Sequence, residues 1–477
     1  MRDGGCATAC RTRYFPGAPG TGRPPSPHPT PMRVFTRLLL SLLPLGGAPL
    51  VGASLVAQDA SPLAVYDSAW AAMARTYFDT SLVNGRWRDA YDSLRAGLGP
   101  ASTMDEARSA LRALIQVPGQ SHFVLIPADA IPSARGSARR ADATPGTAGI
   151  VPRFAGDTLI AWRVLPGSAA ERAGIRPGDA IASVDGLTVD TVRARLRRAF
   201  GGGDREANSL LLQVVTARLD GASGDTVTVA LRTLDGAEGT HTLVRGAMPG
   251  RVSRYGNLPP MVIRSSLDTT RITVGGRAVD IPIIGFSGWF PVIIQDVDRF
   301  AFGARTAAGV IIDLRGNTGG AVGFVGGFAG HFSDTAWSLG TMRGRGADLR
   351  LAANPRRVNA AGERVGVIDA PVAILVDEMT ASASEFFAAG MQALGRARIF
   401  GETTAGQSLP AAMLRLASGD VLMHPIADHE DALGRRIEGR GVEPDTRAPL
   451  VRRELAGGRD AALEAARRWL ADTLSQP

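Results

Sequence analysis

The sequence predicts a multidomain protein of mixed α/β and α+β class, with a helical region near its N-terminus and an α/β core in its C-terminal half. Its 477 residues and 45% hydrophobic content suffice for two or three domains with substantial cores. Apolar residues recur at helical spacing between residues 62 and 115. Two apolar runs, at residues 309–313 and 371–377, are typical of buried strands, and each leads into a turn.

Residues 1–58 are predicted to be a leader and signal peptide. A charged segment at Met32–Arg37 precedes a long apolar stretch that ends in small residues near Ala57, before Asp59. Met32 is an alternative start of translation. The competing interpretation is an uncleaved membrane anchor, which the prolines and glycines of the stretch disfavour. We therefore expect an exported protein, periplasmic or secreted, with no stable membrane span after cleavage.

Composition excludes several classes of site. Cys6 and Cys10 precede Met32, so a mature chain would contain neither a disulfide nor a thiol ligand, and no metal or organic cofactor is expected. Residues 1–58 contribute +5 of the net charge of +8, so nucleic-acid binding is not supported. All 53 basic side chains are arginines, and the absence of lysine excludes any serine-lysine mechanism.

Residues 59–132 form the predicted helical region. Helical apolar spacing covers residues 62–79, 86–98 and 103–115, and Thr103 with Glu106 matches a capping box at the third helix. A linker rich in Arg, Ala, Ser, Pro and Gly follows at residues 133–143.

Residues 144–249 contain the segment Val164–Gly186, a predicted helix at residues 191–200, and strand-like runs at residues 210–219 and 226–231. This pattern closely resembles a bacterial PDZ domain. The resemblance implies that an extended peptide is added as a strand and that its C-terminal carboxylate is bound by the loop containing Gly149, Ile150 and Val151. The alternative is a rigid domain that packs on the core and binds nothing.

Ser382 is the candidate nucleophile, because it stands at a strand-to-helix turn after the apolar run 371–377. A serine hydroxyl needs a base within hydrogen-bonding distance, and the oxyanion formed on attack needs backbone N–H donors. The helix start supplies the amide of Ala383. Ser382 and Glu385 also match a capping box, which is a purely structural explanation of the same residues.

The glycine-rich turn after the first buried strand provides further amides, and Gly319 and Gly320 are candidates for the second oxyanion donor. Two more motifs follow, at residues 401–408 and 436–445. In this order and spacing the motifs resemble the tail-specific, or carboxy-terminal processing, serine protease family and its tricorn-core-type relatives. The resemblance implies a crotonase-like α/β catalytic domain over residues 250–452, followed by a C-terminal helix over residues 453–477.

The sequence departs from the processing branch at one decisive position. Gln407 stands where that branch has its catalytic lysine, and it cannot act as a base. The tricorn-type branch uses a serine-histidine pair and a distant glutamate, which the resemblance carries over to Ser121, His122 and Glu438. His424, at the end of a strand-like segment, is the rival base.

The resulting hypothesis is an exported serine endopeptidase that acts on protein or peptide substrates, bound through their C-terminal tails. The rival from another class is an inactive peptide-binding scaffold, which Gln407 motivates. The aromatic residues Phe286, Trp289 and Phe290 either line a substrate groove or belong to the core.

Overall fold

A computed structural model describes residues 61–128, 144–199, 204–258, 260–359 and 361–476. The predicted leader, its two cysteines and the predicted linker at residues 133–143 lie outside these residues.

Four helices and one short strand form the N-terminal region. They are α1 Pro62–Thr76, α2 Thr80–Asn84, α3 Arg86–Ala96, α4 Met104–Gln116 and β1 Val124–Ile126. Stacked and edge-to-face aromatic rings, among them Tyr66, Trp70 and Trp87, fill the space between the helices. The predicted capping box is present, because Thr103 Oγ1 accepts from the Glu106 amide and the Glu106 carboxylate accepts from the Thr103 amide.

The segment predicted as a PDZ domain contains a six-stranded sheet in the order β3-β4-β5-β8-β9, with β6 paired to β5, and a small sheet in the order β10-β2-β7. Its strands are β2 Pro145–Thr147, β3 Ile150–Ala155, β4 Thr158–Val164, β5 Ala180–Val184, β6 Leu187–Thr188, β7 Asp220–Ala222, β8 Thr226–Arg232, β9 Glu238–Val244 and β10 Gly246–Ala247. Its helices are α5 Ala169–Arg172, α6 Val189–Ala199 and α7 Asp204–Leu219.

The strand predicted at residues 210–219 is wrong: these residues form the second half of α7. Short apolar runs do not distinguish a buried strand from a buried helix. Here Leu211, Val215 and Leu219 recur every four residues, and all three are fully buried. That spacing puts them on one face of a helix, which packs against β3.

The C-terminal half is built on a central sheet in the order β13-β14-β15-β18-β19-β23, in which only the pairing of β13 with β14 is antiparallel. The sheet is accompanied by the ribbon β11-β12 and by the sheets β17-β16-β22 and β1-β21-β20. The strands are β11 Arg251–Ser253, β12 Met261–Ile263, β13 Ser265–Val274, β14 Arg277–Phe286, β15 Val310–Asp313, β16 Trp337–Gly344, β17 Asp348–Ala353, β18 Val372–Val376, β19 Ala397–Gly401, β20 Ala411–Arg415, β21 Val421–Pro425, β22 Ala427–Asp431 and β23 Thr446–Arg447. The helices are α8 Ile294–Gly303, α9 Gly323–Ala329, α10 Ala383–Ala393, α11 Arg452–Ala456 and α12 Ala461–Leu474.

Helices cover both faces of this sheet. Side chains of β15 and β18 alternate, so that Ile312 and Ile374 join the cluster that contains α10, whereas Ile311 and Ala373 pack with α12. The predicted C-terminal helix is thus a packing element of the sheet.

Two structural features bring the predicted site residues together. The parallel strands β15 and β18 end at the same edge of the sheet, so the turns after Asp313 and Val376 are neighbours. The N-terminal strand β1 pairs antiparallel with β21, and this pairing positions the turn before β1 next to the two turns of the central sheet. None of the helices in the described ranges combines the length and apolar character needed to cross a membrane.

Candidate active site

Ser382 lies in a strained turn between β18 and α10. Its backbone has φ 55° and ψ −122°, a conformation that a side-chain-bearing residue adopts only when the surroundings impose it. Its amide is held from two sides, by the carbonyl of Gln407 at 2.8 Å and by Glu385 Oε2 at 3.0 Å. The turn directs the Ser382 hydroxyl towards His122.

Glu385 makes the glutamate half of the predicted capping box and does more than cap the helix. The side chain is fully buried, and besides the Ser382 amide it accepts from the amides of Gly406 at 2.7 Å and Gln407 at 2.9 Å and from the Thr404 hydroxyl. Burial raises the pKa of Glu385 to about 7, against the opposing effect of these donors. One carboxylate therefore fixes the loop at residues 404–407 to the nucleophile turn.

His122 lies opposite the nucleophile, with Nε2 3.2 Å from Ser382 Oγ. Its backbone also adopts a positive φ, 63°. On the other side of the ring, Nδ1 lies 2.7 Å from Ser121 Oγ, and that hydroxyl donates to Glu438 Oε2 at 3.0 Å. If Nδ1 carries the proton, it donates to Ser121 Oγ, the Ser121 hydroxyl donates to Glu438, and the Nε2 lone pair faces the Ser382 hydroxyl.

Glu438 anchors the far end of this series. Only 5% of the residue is exposed, and its two oxygens also accept from the amides of Ser121 at 2.9 Å and Ser408 at 2.8 Å. Burial raises the pKa of Glu438, an effect that the donated hydrogen bonds oppose. Burial also lowers the pKa of His122 to about 4, so the imidazole is neutral at pH 7 and can accept a proton.

The glycine-rich turn packs directly against the nucleophile. A Cβ on Gly319 would lie 2.6 Å from Ser382 Cβ, and φ at this residue is +98°. The Gly319 amide donates to Asn317 Oδ1 at 3.0 Å. Gly320 follows with φ +143° and lies against the backbone of Trp289. The Ala383 amide is the first of α10, on the same turn as Ser382.

A cavity of about 240 Å³ adjoins the Ser382 and His122 side chains. One wall comes from the catalytic half and contains Met379 and Gln407, and the opposite wall comes from α7 and contains Ser209 and Gln213. Met379 is also part of the hydrophobic cluster between α7 and the PDZ sheet. The PDZ segment therefore takes part in enclosing the site.

The rival base lies elsewhere. His424 is 3% exposed, and its Nδ1 lies 3.1 Å from the carbonyl of the following residue, Pro425. It does not line the cavity beside Ser382. The geometry therefore favours His122 over His424 as the partner of the nucleophile.

The three aromatic residues considered for a substrate groove belong to the core. Phe286, Trp289 and Phe290 are 3–6% exposed and line a separate cavity of about 290 Å³ behind the glycine-rich turn. Trp289 nevertheless supports the site, because its indole N–H donates to Ser384 Oγ at 2.9 Å and its carbonyl accepts from the Ala321 amide at 2.8 Å.

The predicted carboxylate-binding loop lies at the start of β3, an edge strand that pairs only with β4 among the described strands. Gly149 has φ +90°, and a Cβ there would collide with Ser168. Its amide donates to Thr147 Oγ1 at 3.1 Å. Ile150 is buried in the PDZ core, and Val151 is half-buried on the opposite face of the sheet.

Sequence reasoning missed two groups of residues at the site. Asn317 is fully buried and links the two turns, since its carbonyl accepts from the Ala381 amide and from Ser384 Oγ. Its position inside the glycine-rich motif was the available signal. Ser209 and Gln213 were missed because their helix was predicted in part as a strand.

Comparisons with known proteins agree with this architecture. Residues 292–448 match Peptidase family S41, and residues 163–213 match the PDZ domain family. A carboxyl-terminal-processing protease of Picosynechococcus sp. is 27% identical over 61% of this chain and 61% of its own length. Carboxyl-terminal-processing peptidase 3 of Arabidopsis thaliana is 24% identical over 79% of this chain and 67% of its own length. The matched part of the chain thus spans about two thirds of these relatives or less.

Solved structures support the fold. The photosystem II D1 C-terminal processing protease superposes with a TM-score of 0.55 at 20% identity, covering 87% of this chain and 98% of that one. Mature CPAF gives a TM-score of 0.56 at 14% identity, covering 87% and 96%. The matched family models, the fold and the serine at the strand-to-helix turn agree, and over these residues the chain is similar to PDZ-containing serine peptidases of family S41.

Proposed function

We propose that the protein is a serine endopeptidase that hydrolyses peptide bonds through Ser382, His122, Ser121 and Glu438, without a serine-lysine dyad. The observation that carries this proposal is the 3.2 Å contact between Ser382 Oγ and His122 Nε2, continued through Ser121 Oγ to Glu438. The lack of lysine in the sequence supports it independently.

In this mechanism Ser382 Oγ bonds to the scissile carbonyl carbon while its proton moves to His122 Nε2. The C–N bond then breaks as the imidazolium returns the proton to the leaving amine. A water molecule, deprotonated by the same nitrogen, then attacks the acyl carbon. The bond between that carbon and Ser382 Oγ breaks, and the imidazolium returns the proton to Oγ. The Ala383 amide is one oxyanion donor, and Gly320 is the better second donor because the Gly319 amide already donates to Asn317.

The support for His122 matters because an imidazolium is costly at a buried position, as its lowered pKa indicates. When the ring is protonated, Nδ1–H still donates to Ser121 Oγ, and the Ser121 hydroxyl still donates to Glu438. The carboxylate therefore stabilises the cation through one intervening hydroxyl.

We further propose that the substrates are exported proteins whose C-terminal tails bind to the PDZ segment. The relatives named above are carboxyl-terminal-processing enzymes. Among the described strands β3 is an edge strand, to which a further strand could be added, beginning at Gly149, Ile150 and Val151. Export is supported by the charged and apolar segments between Met32 and Ala57.

The test is covalent labelling of the mature protein by a fluorophosphonate, read by intact mass. We expect one adduct on the wild type and none on folded Ser382→Ala or His122→Ala proteins, whereas His424→Ala is labelled. Labelling that survives in His122→Ala and disappears in His424→Ala would reassign the base. No labelling of well-folded wild-type protein would contradict the proposal and favour the peptide-binding scaffold.

A further inference from the structure

A second cavity, of about 390 Å³, lies between the PDZ sheet and the catalytic sheet. Successive side chains of β3 point to opposite faces of the PDZ sheet, and they show which face the cavity adjoins. Ile150 and Phe154 point into the PDZ core towards α7, whereas Val151 and Arg153 face this cavity. The cavity is therefore on the opposite face of the sheet from α7 and from Ser382.

Three arginine side chains surround the Trp162 ring, which lines this cavity. Their guanidinium carbons lie 3.9 Å (Arg163), 4.9 Å (Arg315) and 5.0 Å (Arg153) from the ring centroid. Each of these arginines forms an ion pair with a carboxylate. Arg153 pairs with Asp377 at 2.8 Å, and the other two share Asp313, with Asp460 as a further partner of Arg315.

Arg264 is the fourth arginine of the cavity and differs from the others. Its backbone is fixed, since its amide donates to Ser287 Oγ at 2.9 Å and its carbonyl accepts from the Ser287 amide at 2.9 Å. Within the described ranges its guanidinium forms neither a hydrogen bond nor an ion pair. Burial lowers the pKa of Arg264, as do Arg153 and Arg163, whereas Asp220 opposes this effect. A partly buried cation without a hydrogen-bonded anion is costly.

The other residues that line this cavity indicate which kind of ligand could pair with the Arg264 guanidinium. The hydroxyl-bearing residues Ser265, Ser266 and Ser287 lie on the catalytic side, and apolar side chains such as Leu165 and Ile283 complete the walls. The lining contains four arginines and three aspartates, Asp268, Asp313 and Asp460. Arg153, Arg163 and Arg315 are ion-paired, so among the described residues Arg264 is the lining arginine without a hydrogen-bonded carboxylate. A volume of this size suits a small ligand with an apolar body and a single negative charge.

We propose that this cavity is a binding site for a carboxylate attached to an apolar group, with the carboxylate held by the Arg264 guanidinium. A guanidinium presents paired N–H donors that match the two oxygens of a carboxylate. The chemistry is shared by the C-terminal residue of a peptide and by a free N-acylated apolar amino acid. The site is separate from the hydrolytic cavity and does not rest on the proposed peptidase activity.

The test is isothermal titration of the mature protein with N-acetyl-leucine, compared with N-acetyl-leucinamide, which lacks the charge. We expect saturable binding of the acid and binding of the amide weaker by about tenfold or more. A leucine-terminated pentapeptide, titrated into the Ser382→Ala protein, distinguishes the sources. Peptide binding that is tighter than that of the amino acid and is weakened by Arg264→Gln assigns the site to chain ends, and tighter binding of the amino acid assigns it to small carboxylates.

Two variants locate the binding. Arg264→Gln is expected to weaken acid binding by about tenfold or more, while Arg398→Gln, at an exposed arginine elsewhere, leaves it unchanged. If Arg264→Gln does not fold, Ser266→Phe fills the cavity from its exposed rim and is expected to block the acid. Equal affinity for acid and amide, full binding by these variants, or no binding by folded wild type would each overturn the assignment.

Discussion

Replacing Ser121 by alanine is the sharpest test of how the base is supported. The change removes the hydroxyl that joins His122 Nδ1 to Glu438 Oε2 but leaves the bond of the Ser121 amide to the same carboxylate. A buried group left without its hydrogen bond costs about 1–3 kcal/mol. Since the imidazolium forms only during the reaction, a penalty of about 2 kcal/mol would lower kcat by about 30-fold. KM should change little, because Ser121 does not line the cavity beside Ser382.

The assay is hydrolysis of an internally quenched peptide, with the rate of fluorophosphonate labelling as a second measure of Ser382 reactivity. Ser121→Thr retains a hydroxyl and should recover most of the rate. Ser109→Ala is the matched control, since this exposed serine only donates to the Asp105 carbonyl of its own helix. A folded Ser121→Ala enzyme whose kcat stays within about twofold of the wild type would refute the reasoning.

Three further predictions concern the surroundings of the nucleophile. In Glu385→Gln the new side-chain NH2 group faces N–H and O–H groups that already donate to the carboxylate. The free energy of unfolding, measured by urea titration, should fall by about 2–4 kcal/mol, and the rate of fluorophosphonate labelling should fall as well. Gly319→Ala should abolish labelling of a protein that remains folded by circular dichroism, because its Cβ would lie 2.6 Å from Ser382 Cβ. Burial lowers the pKa of His429, which stacks on Phe386, to about 3, so the folded state binds fewer protons than the unfolded state between pH 6.5 and 3. The free energy of unfolding should therefore fall as the pH drops below 6.5, and this group should account for a loss of about 2 kcal/mol at pH 5. His429→Leu should reduce that loss, as measured by thermal melts at pH 6.5 and at pH 5.

Much of the site could be predicted because its chemistry requires particular residue types. A serine between a buried strand and a helix, and glycines after a neighbouring parallel strand, are local patterns with a direct structural meaning. The partners of Ser382 were predicted by resemblance alone. Nothing local indicates that His122 and Glu438 meet, because their approach depends on the pairing of β1 with β21.

Other features depend on tertiary packing and could not be predicted from the sequence. The residues from 210 to 219 form a helix because one apolar face packs on β3, although their composition also suits a strand. The role of Glu385 was underestimated for a similar reason. Its partners in the helix cap are local, whereas Thr404 and Gly406 reach it only in the folded structure.

The separation of the site residues along the chain has a consequence for synthesis and transport. The hydrogen bond from the Ser121 amide to Glu438 spans 317 positions, and that between His122 and Ser382 spans 260. A chain that emerges from its N-terminus presents the proposed base first and the proposed orienting carboxylate last. The proposed tetrad cannot assemble before residue 438 has emerged. A chain released before residue 438 would therefore lack a complete site of the proposed kind.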